Sequence, residues 1–269
     1  MIDLHSHILA FLDDGAEDIV TSIAMARIAV ADGITHMACT PHIVPGKYEN
    51  STATILPAMH SLQVMLDAQS IPLRLTSGAD VHIAPDLLDR LQAGDIPTLN
   101  HTRYFLLEPP HEILPPRLEE FAARLLEAGF VPIITHPERL SWAGRHFDVI
   151  QRLADLGCPL QLTADSLTGV FGPVARQLSE RILREGRASF FASDAHGASW
   201  RKPVLSGAFA LVAEQFGRQD AEQMFHHRPA AILSNAEPAE ILPTLRTVSR
   251  GRARKSFAQR LVARVLGNE

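Results

Sequence analysis

Seven short apolar segments recur along the chain, and most of them are separated by a longer segment with the period of a helix. We predict strands at Ile2–Leu4, His36–Thr40, Leu73–Ser77, Tyr104–Leu107, Val131–Thr135, Pro159–Thr163 and Ser189–Ala192. We predict helices at Asp18–Ala31, Thr54–Ala68, Pro85–Ala93, Arg117–Ala128, Phe147–Leu156 and Val174–Arg184. Strands that are separated by helices pair in parallel through right-handed crossovers, so the alternation predicts an α/β fold with parallel strands.

Glycines lie at or just beyond the ends of five of these helices, where a left-handed residue commonly terminates a helix. They are Gly33, Gly94, Gly129, Gly157 and Gly186. A closed barrel has no edge strand, which makes it the more economical arrangement for seven repeats of this length. We therefore expect a single (β/α) barrel of about seven strands with a short helical C-terminal extension. An open doubly wound sheet is the alternative.

The composition is that of an ordinary globular protein, because 46% of the 269 residues are hydrophobic and 20% are charged. It excludes a disordered chain, a collagen-like chain and a disulfide scaffold. Cys39 and Cys158 lie far apart, which favours a reducing compartment. The opening segment lacks a signal-peptide pattern, and no run approaches a membrane span of about 18 apolar residues. We expect a soluble, cytoplasmic protein.

Charge is unevenly distributed between the body of the chain and its C-terminal tail. From Arg246 onward there are seven basic residues and one acidic residue, which gives this segment a net charge of +6 and the rest −11. We divide the chain into a barrel domain over residues 1–243 and a basic tail over residues 244–269. Within the tail, Ser256–Leu266 has apolar residues at helical spacing opposite Arg260 and Arg264, a pattern typical of an amphipathic helix.

Imidazole and carboxylate side chains recur where the predicted strands end. They are His5, His7, Asp13 and Asp14 after the first strand, His42 after the second, Asp80 after the third, Glu108 after the fourth, His136 and Glu138 after the fifth, and Asp194 and His196 after the seventh. In a barrel, active sites are built on the face formed by the carboxyl ends of the strands. Side chains two apart on an extended chain point the same way, as for His5 with His7.

This set of side chains indicates a metal site. Imidazoles and carboxylates without clustered thiolates suit divalent ions such as Zn, Mn or Fe(II). Up to nine candidate ligands exceed the needs of one ion, so we expect two or three ions that share bridging carboxylates. Such a cluster can activate water and neutralise charge in phosphoryl transfer. We interpret the following histidines as caps or solvated loop residues: His36, His60, His101, His146, His226 and His227.

The motifs DLHSH, DDGA, TPHI, THPER and SDAH, in this order, resemble the PHP (polymerase and histidinol phosphatase) superfamily of metal-dependent phosphoesterases. Within it, the chain is most similar to the bacterial capsular and exopolysaccharide tyrosine-protein phosphatases. The similarity covers about residues 1–235 and includes the segment Ile96–Asn100 as well as Gln161, Arg201 and Pro203.

The resemblance implies a trinuclear metal site, with Mn as the favoured ion, in a distorted (β/α)7 barrel. The implied ligands are His5, His7, Asp14, His42, Asp80, Glu108, His136, Asp194 and His196. It also implies that Arg139 and Arg201 contact the substrate phosphate, with Arg139 the better candidate for transition-state stabilisation. A planar guanidinium suits phosphate oxygens, which agrees with this assignment.

One position departs from the family pattern, because Asp80 stands where the family usually has a bridging Glu. Its side chain is one methylene shorter, so the site is expected to hold two ions tightly and a third loosely. His82 is nearby and could serve as a ligand or a phosphate contact, although we interpret it here as a bystander.

The resemblance implies direct hydrolysis of phosphotyrosine, in which a metal-activated hydroxide attacks phosphorus in line. The phenolate leaving group has a pKa near 10 and needs little protonation. The phosphocysteine route of other tyrosine phosphatases needs an Arg six residues after the Cys, but Pro45 and Ala164 stand there. We therefore assign both cysteines to the core.

The implied substrate is a tyrosine-phosphorylated protein, the membrane-bound autokinase of polysaccharide export. The basic tail would then suit a weak contact with an anionic membrane, and a helix packed on the barrel or a frayed basic end is the alternative. We expect no nucleic-acid partner, because the body is acidic. A histidinol phosphatase or another small phosphomonoesterase is the alternative activity, and a metal-depleted binding module is the non-enzymatic alternative.

Overall fold

A computed structural model describes residues 1–243, so the basic tail and its amphipathic segment lie outside the described residues. The strands are β1 (Ile2–Asp3), β2 (His36–Cys39), β3 (His42–Ile43), β4 (Arg74–Ser77), β5 (Asp80–His82), β6 (Tyr104–Glu108), β7 (Val131–Thr135), β8 (Leu160–Thr163) and β9 (Ala188–Ala192). The first seven helices are α1 (Ile19–Ala31), α2 (Thr52–Ala68), α3 (Leu87–Gln92), α4 (Leu118–Glu127), α5 (Phe147–Asp155), α6 (Ala164–Thr168) and α7 (Gly172–Arg184). The remaining helices are α8 (Ser206–Phe216), α9 (Arg218–Glu222), α10 (Arg228–Leu233) and α11 (Pro238–Ile241).

All pairs of neighbouring strands are parallel, and two strand positions each consist of two short pieces. Strands β1, β2 and β4 form one sheet, and β3, β5, β6, β7, β8 and β9 form the other. Cys39 pairs with Ser77 in the first sheet and His42 pairs with Asp80 in the second, which keeps the same register across the break. Strands β3 and β5 therefore continue β2 and β4, and together the nine pieces occupy seven strand positions.

The first and last strand positions meet at their carboxyl ends. Ser6 and Ala195 form a parallel bridge. The His7 N–H donates to the Ala195 carbonyl at 2.8 Å, and the Asp194 N–H donates to the His5 carbonyl at 2.9 Å. The seven strand positions are thus joined in a ring, as a distorted (β/α)7 barrel requires. This confirms the predicted α/β fold with parallel strands, and the bridge between the first and last strand positions agrees with the barrel arrangement.

Side chains inside the ring come from alternate strand residues, such as Tyr104 and Leu106 of β6, because successive residues of a strand face opposite sides. Ile232 of α10 and Ile241 of α11 pack against this inner cluster and are fully buried. The Tyr104 hydroxyl donates to the Ala236 carbonyl at 2.6 Å. The last helices thus close the end of the barrel where the strands begin, and the opposite end is left for the polar side chains.

All seven predicted strands and all six predicted helices are present, within a few residues of their predicted ends. The five glycines predicted to end helices all have positive φ. Residues 109–116 form a loop, which has neither helix nor strand. The elements α6, β3 and β5 were not predicted, because they have two to five residues each and are too short to show a period. The helices α8 to α11 were not predicted individually either. None of the helices in residues 1–243 is long and apolar enough to span a membrane.

Candidate metal centre

The nine side chains predicted as metal ligands converge at the carboxyl ends of the strands. Seven of them are at most 4% exposed: His5, His7, Asp80, Glu108, His136, Asp194 and His196. His42 is half-buried and Asp14 is exposed. Within residues 1–243, every one of the nine belongs to at least one group of three or four side chains whose ligand atoms lie within 4.8 Å of one another. The sequence prediction of the cluster thus agrees with the geometry.

His5 and His7 face a pair of aspartates from the third and last strand positions. The Nε2 atoms of His5 and His7 are 3.2 Å apart, and each lies 3.3 Å from Oδ1 of Asp194. His5 Nε2 also lies 3.4 Å from Oδ2 of Asp80. One carboxylate oxygen and two imidazole nitrogens therefore surround a common point.

A second group lies toward the surface and is formed by His42, Asp14 and His196 together with His7. Oδ1 of Asp14 lies 3.7 Å from Nε2 of His42 and 3.6 Å from Nε2 of His196. The ring of His7 lies between, with its centroid 4.5 Å from that of His42 and 3.9 Å from that of His196. Asp14 is thus the exposed member that completes a set of three imidazoles.

The third group is centred on Glu108, the last residue of β6. Its Oε1 lies 3.4 Å from Nε2 of His136 and 3.1 Å from Nε2 of His111. Its Oε2 lies 3.3 Å from Nδ1 of His42 and 2.5 Å from Nε2 of His82. His82, interpreted from the sequence as a bystander, lies beside Glu108 because of the strand register. The sequence reading did not consider His111, although it follows Glu108 by only three residues.

Two side chains outside the nine orient His5 and His7. His7 Nδ1–H donates to Oδ2 of Asp13 at 2.6 Å, and His5 Nδ1–H donates to Oε1 of Gln161 at 2.9 Å. These bonds fix the tautomers that leave both Nε2 lone pairs free for a metal ion. Asp13 is adjacent to a predicted ligand in the sequence, yet only its contact with His7 shows this orienting role.

The loop that carries Asp13 and Asp14 lies directly on His7. The Gly15 N–H donates to Oδ1 of Asp13 at 2.9 Å, and the Ala16 N–H donates to the His7 carbonyl at 3.0 Å. A Cβ at position 15 would lie 2.2 Å from the His7 carbonyl oxygen, which is closer than atoms can approach. Glycine is therefore required here by the close packing of two chain segments.

Asp3 of the first strand is hydrogen-bonded to Ser193, the residue that precedes Asp194. It is fully buried and accepts hydrogen bonds from the Ser193 hydroxyl at 2.5 Å and the Ser193 N–H at 3.0 Å. Its Oδ1 also accepts from the His5 N–H at 3.3 Å. Burial raises the pKa of Asp3 to about 6, while the bonds from Ser193 and His5 oppose this rise. This carboxylate therefore holds the closing strands of the ring together beneath the ligand groups.

Three residues at the centre have backbones in the left-handed region, although none is glycine. The φ angles are 32° at His136, 51° at Asp194 and 44° at Arg201. Such conformations cost about 1–3 kcal/mol each and concentrate at functional sites. The backbone strain at these three residues is consistent with side chains whose directions are fixed by a bound ligand.

Arg139 and Arg201 both donate to Oδ2 of Asp194, on the side away from the histidines. The guanidinium of Arg139 lies over the ring of Phe171, 4.3 Å from its centroid, and that of Arg201 lies 5.8 Å from the same centroid. Both arginines line a cavity of about 240 Å³ together with Lys47 and members of all three ligand groups. The predicted pair of arginines is thus placed beside the cluster.

A second recess of about 310 Å³ adjoins this cavity, because His111 and Arg139 line both. Its apolar part is formed by Leu140, Phe171, Val174, Ala175 and Leu178, and Glu138, Ser141 and Arg145 also line it. We name it the apolar recess. Its position next to Arg139 places an apolar surface beside the two guanidinium groups.

Several of the histidines are neutral at pH 7, which is the form that binds metal. Burial lowers the pKa of His42 to about 3 and that of His196 to about 2. Burial also lowers the pKa of His136 well below its usual value. His7 behaves differently: burial alone would lower its pKa, but the carboxylates of Asp13 and Asp194 raise it to about 10.

The pKa values of two carboxylates of the cluster are shifted in opposite directions. Burial, together with the charge of Glu108, raises the pKa of Asp80 to about 6. Burial would also raise the pKa of Asp194, but His5, Arg139 and Arg201 hold it well below its usual value. Both aspartates are therefore anionic at pH 7, the state required of metal ligands.

One further observation shows that these donor atoms fit divalent metal ions. The Nδ1 atoms of His42 and His136 and both carboxylate oxygens of Asp80 are buried and have no hydrogen-bond partner within residues 1–243. Buried polar atoms are rarely left unpaired in a native protein, since each costs about 1–3 kcal/mol. Metal ions at the cluster would satisfy these atoms.

Cys39 and Cys158 are fully buried, as the sequence predicted. Burial raises the pKa of both thiols, that of Cys158 to about 12. Neither thiol is available as a nucleophile. The histidines interpreted as caps or loop residues, His36, His60, His101, His146, His226 and His227, occur in none of the ligand groups found in residues 1–243.

A family model described as capsular polysaccharide synthesis, CpsB/CapC, matches residues 1–234. Tyrosine-protein phosphatase YwqE of Bacillus subtilis is 34% identical over 81% of this chain and 86% of its own length. Putative tyrosine-protein phosphatase CapC of Staphylococcus aureus is 31% identical over 78% of this chain and 82% of its own.

The fold also matches solved structures. One chain from the crystal structures of YwqE from Bacillus subtilis and CpsB from Streptococcus pneumoniae, described as unique metal-dependent tyrosine phosphatases, has a TM-score of 0.85 at 32% identity. The match covers 91% of this chain and 100% of that chain. A TatD-like protein from Archaeoglobus fulgidus shares the fold alone, with a TM-score of 0.50 at 14% identity over 86% of this chain and 99% of its own.

Proposed function

Because this chain belongs to the CpsB/CapC family of capsular polysaccharide synthesis proteins, we propose that it is a metal-dependent protein-tyrosine phosphatase. The observation that carries the proposal is the convergence of nine ligand-type side chains in one cluster, six of which line the same cavity as Arg139 and Arg201. The relatives described as metal-dependent tyrosine phosphatases support the same activity. The complete ligand set argues against a metal-depleted binding module.

We assign the nine predicted side chains as ligands of two or three divalent ions, with Mn favoured. The groups around His5, His42 and Glu108 are the three centres of this set, and Asp80 and Asp194 lie between them. Divalent ions held there supply Lewis acidity that activates water and neutralises charge on a phosphoryl group. Carboxylate and imidazole donors suit Mn, Fe(II) and Zn alike.

The two arginines are assigned to the phosphate. Their guanidinium groups share Oδ2 of Asp194, so each retains further N–H donors, and both side chains line the cavity. A planar guanidinium can bind two phosphate oxygens at once. The stack of Arg139 on Phe171 holds its plane fixed, which suits stabilisation of the equatorial oxygens in the transition state.

We assign the apolar recess to the aromatic ring of the substrate. Phosphotyrosine carries its phosphate on a flat apolar group, and the recess offers apolar side chains directly beside Arg139. Phosphoserine and most small phosphomonoesters have no group that would fill it. Because the tyrosine phenolate has a pKa near 10, it leaves with little protonation, so the site needs no dedicated acid.

The biological substrate proposed here is a tyrosine-phosphorylated protein of capsule or exopolysaccharide synthesis, namely the membrane-bound autokinase. This agrees with the process after which the family is described. We further propose a cytoplasmic location, with weak contact between the basic tail and the inner face of the membrane. The charge of +6 in that tail supports the contact, because anionic lipid attracts clustered basic residues.

The test is hydrolysis of a phosphotyrosine peptide and of histidinol phosphate, each with added Mn(II) and with a chelator. We expect cleavage of the peptide that depends on Mn(II), is abolished by the chelator and resists vanadate, which inhibits phosphocysteine enzymes. A preference for histidinol phosphate would overturn the substrate assignment and leave the metal chemistry in place. Cleavage that is unaffected by the chelator would overturn the metal mechanism.

A further inference from the structure

His82 occupies a position in the barrel that repeats the geometry of the other ligand pairs. Asp80 and His82 are the first and last residues of β5, two apart on an extended strand, so both side chains point to the same side. His5 with His7 and Asp194 with His196 have the same spacing at the ends of the first and last strand positions. The cluster thus contains a third pair of this kind.

The strand register places this pair directly against two predicted ligands. Asp80 is the partner of His42 in β3, and His82 is the partner of Glu108 in β6. Partners in neighbouring parallel strands lie side by side with their side chains on the same face. The position of His82 beside Glu108 therefore follows from the backbone and does not depend on a flexible rotamer alone.

The side chains of His82, Glu108 and His42 lie close together, as this register requires. Nε2 of His82 lies 2.5 Å from Oε2 of Glu108, and the same Oε2 lies 3.3 Å from Nδ1 of His42. Nδ1 of His42 lies 3.4 Å from Oδ2 of Asp80. The side chain of His82 is 28% exposed and lines the 240 Å³ cavity, so an ion bound here would be in contact with the substrate space.

An independent observation indicates a ligand at this point. Nδ1 of His42 and both oxygens of Asp80 have no hydrogen-bond partner among the described residues, and Asp80 is fully buried. His42, His82 and Glu108 form one group whose ligand atoms lie within 4.8 Å of one another, and Oδ2 of Asp80 lies 3.4 Å from Nδ1 of His42. A cation bound by this group would satisfy the unpaired Nδ1 of His42 and lie next to Asp80.

We propose that His82 is a further metal ligand, which binds through Nε2 and shares a divalent ion with His42 and Glu108, next to Asp80. The proposal rests on the metal centre proposed above and adds a ligand to its nine. Two imidazoles with carboxylate oxygens are a donor set for Mn, Fe(II) or Zn. The extra imidazole compensates for the short side chain of Asp80, so the ion nearest Glu108 is retained.

The proposal is tested by equilibrium dialysis against graded free Mn(II), with metal per chain measured by mass spectrometry. His82→Ala and His82→Asn are compared with the wild type and with His60→Ala, a control at an exposed histidine outside the cluster. Circular dichroism melting of the metal-free proteins checks that all variants fold. Absorption of the Co(II)-loaded proteins reports the ligand set directly, without any measurement of activity.

We expect both His82 variants to bind one ion at least about tenfold more weakly than the wild type, since loss of even an outer partner of a metal ligand costs that much. Their Co(II) spectra should change, and those of His60→Ala should not. Unchanged affinity and spectra in folded His82 variants of a metal-binding wild type would overturn the role of His82 alone. A wild type that binds no metal would overturn both this proposal and the proposed function.

Discussion

Arg139 donates to Oδ2 of Asp194, while Oδ1 of the same carboxylate faces Nε2 of both His5 and His7. A single aspartate therefore connects the group assigned to the phosphate with the group assigned to the metal ions. Arg201 shares the same oxygen from the other side. Because the carboxylate is fixed at both ends, a phosphate bound by the arginines is held in register with the ligand cluster.

Replacing Arg139 by Lys is expected to lower kcat by about 10²–10³, the usual cost of removing one transition-state donor. Lysine keeps the charge but has no planar fork and loses the stack on Phe171. Steady-state kinetics on a phosphotyrosine peptide, with metal content measured in parallel, checks this. Metal content should be unchanged. A loss of activity that merely follows a loss of metal would contradict the assignment of Arg139 to the phosphate.

Metal affinity is expected to rise with pH. Asp13 and Asp194, acting against burial, raise the pKa of His7 to about 10, so His7 is protonated at pH 7 without metal and must release that proton to bind. Each displaced proton weakens binding about tenfold per unit fall in pH. Below about pH 6 protonation of Asp80, whose pKa burial raises to about 6, steepens the fall.

Titration calorimetry with Mn(II) between about pH 5 and pH 8, in buffers of different ionisation heat, counts the released protons. We expect at least one proton per chain at pH 7. Binding that is independent of pH and of the buffer would show that His7 is already neutral.

Gly15→Ala is expected to destabilise the protein by about 1–3 kcal/mol, the usual cost of overpacking. The new Cβ would lie 2.2 Å from the His7 carbonyl oxygen, so the loop with Asp13 and Asp14 must shift. Gly207→Ala is the matched control, because its Cβ would make an ordinary contact of 3.5 Å with Thr168. A loss of stability in urea unfolding and a change in metal content are expected only at Gly15, because alanine at position 207, within α8, is neutral or stabilising. Equal stability of the two variants would contradict the close packing.

Val174→Asp tests the apolar recess. Val174 is 66% exposed, so the change should not unfold the protein, but it places a charge where the aromatic ring is proposed to bind. We expect kcat/KM for phenyl phosphate to fall about tenfold more than that for glycerol phosphate. Val20→Asp, at an equally exposed valine of α1, should affect neither substrate. An equal fall for both substrates would mean that the added charge repels phosphate in general.

The positions of the strands and of most ligands could be predicted because they depend on local patterns. The apolar period locates the seven strand positions, and ligands such as His5, His136 and His196 stand at their ends. Parallel strands bring all carboxyl ends to one face, so spacing along the chain was enough to predict that these side chains meet. The i, i+2 spacing also predicted that His5 and His7 share a direction.

The pairing of individual atoms was decided only by the tertiary structure. Which imidazole meets which carboxylate oxygen depends on the register between strands that are distant in sequence, and that register placed His82 beside Glu108. The roles of Gln161 and Asp13 likewise require a hydrogen bond across the barrel or back from a loop. The alternation of residues along a strand determines which face of the strand a side chain lies on. The residues that the side chain contacts are determined by how the strands pack against one another in the barrel.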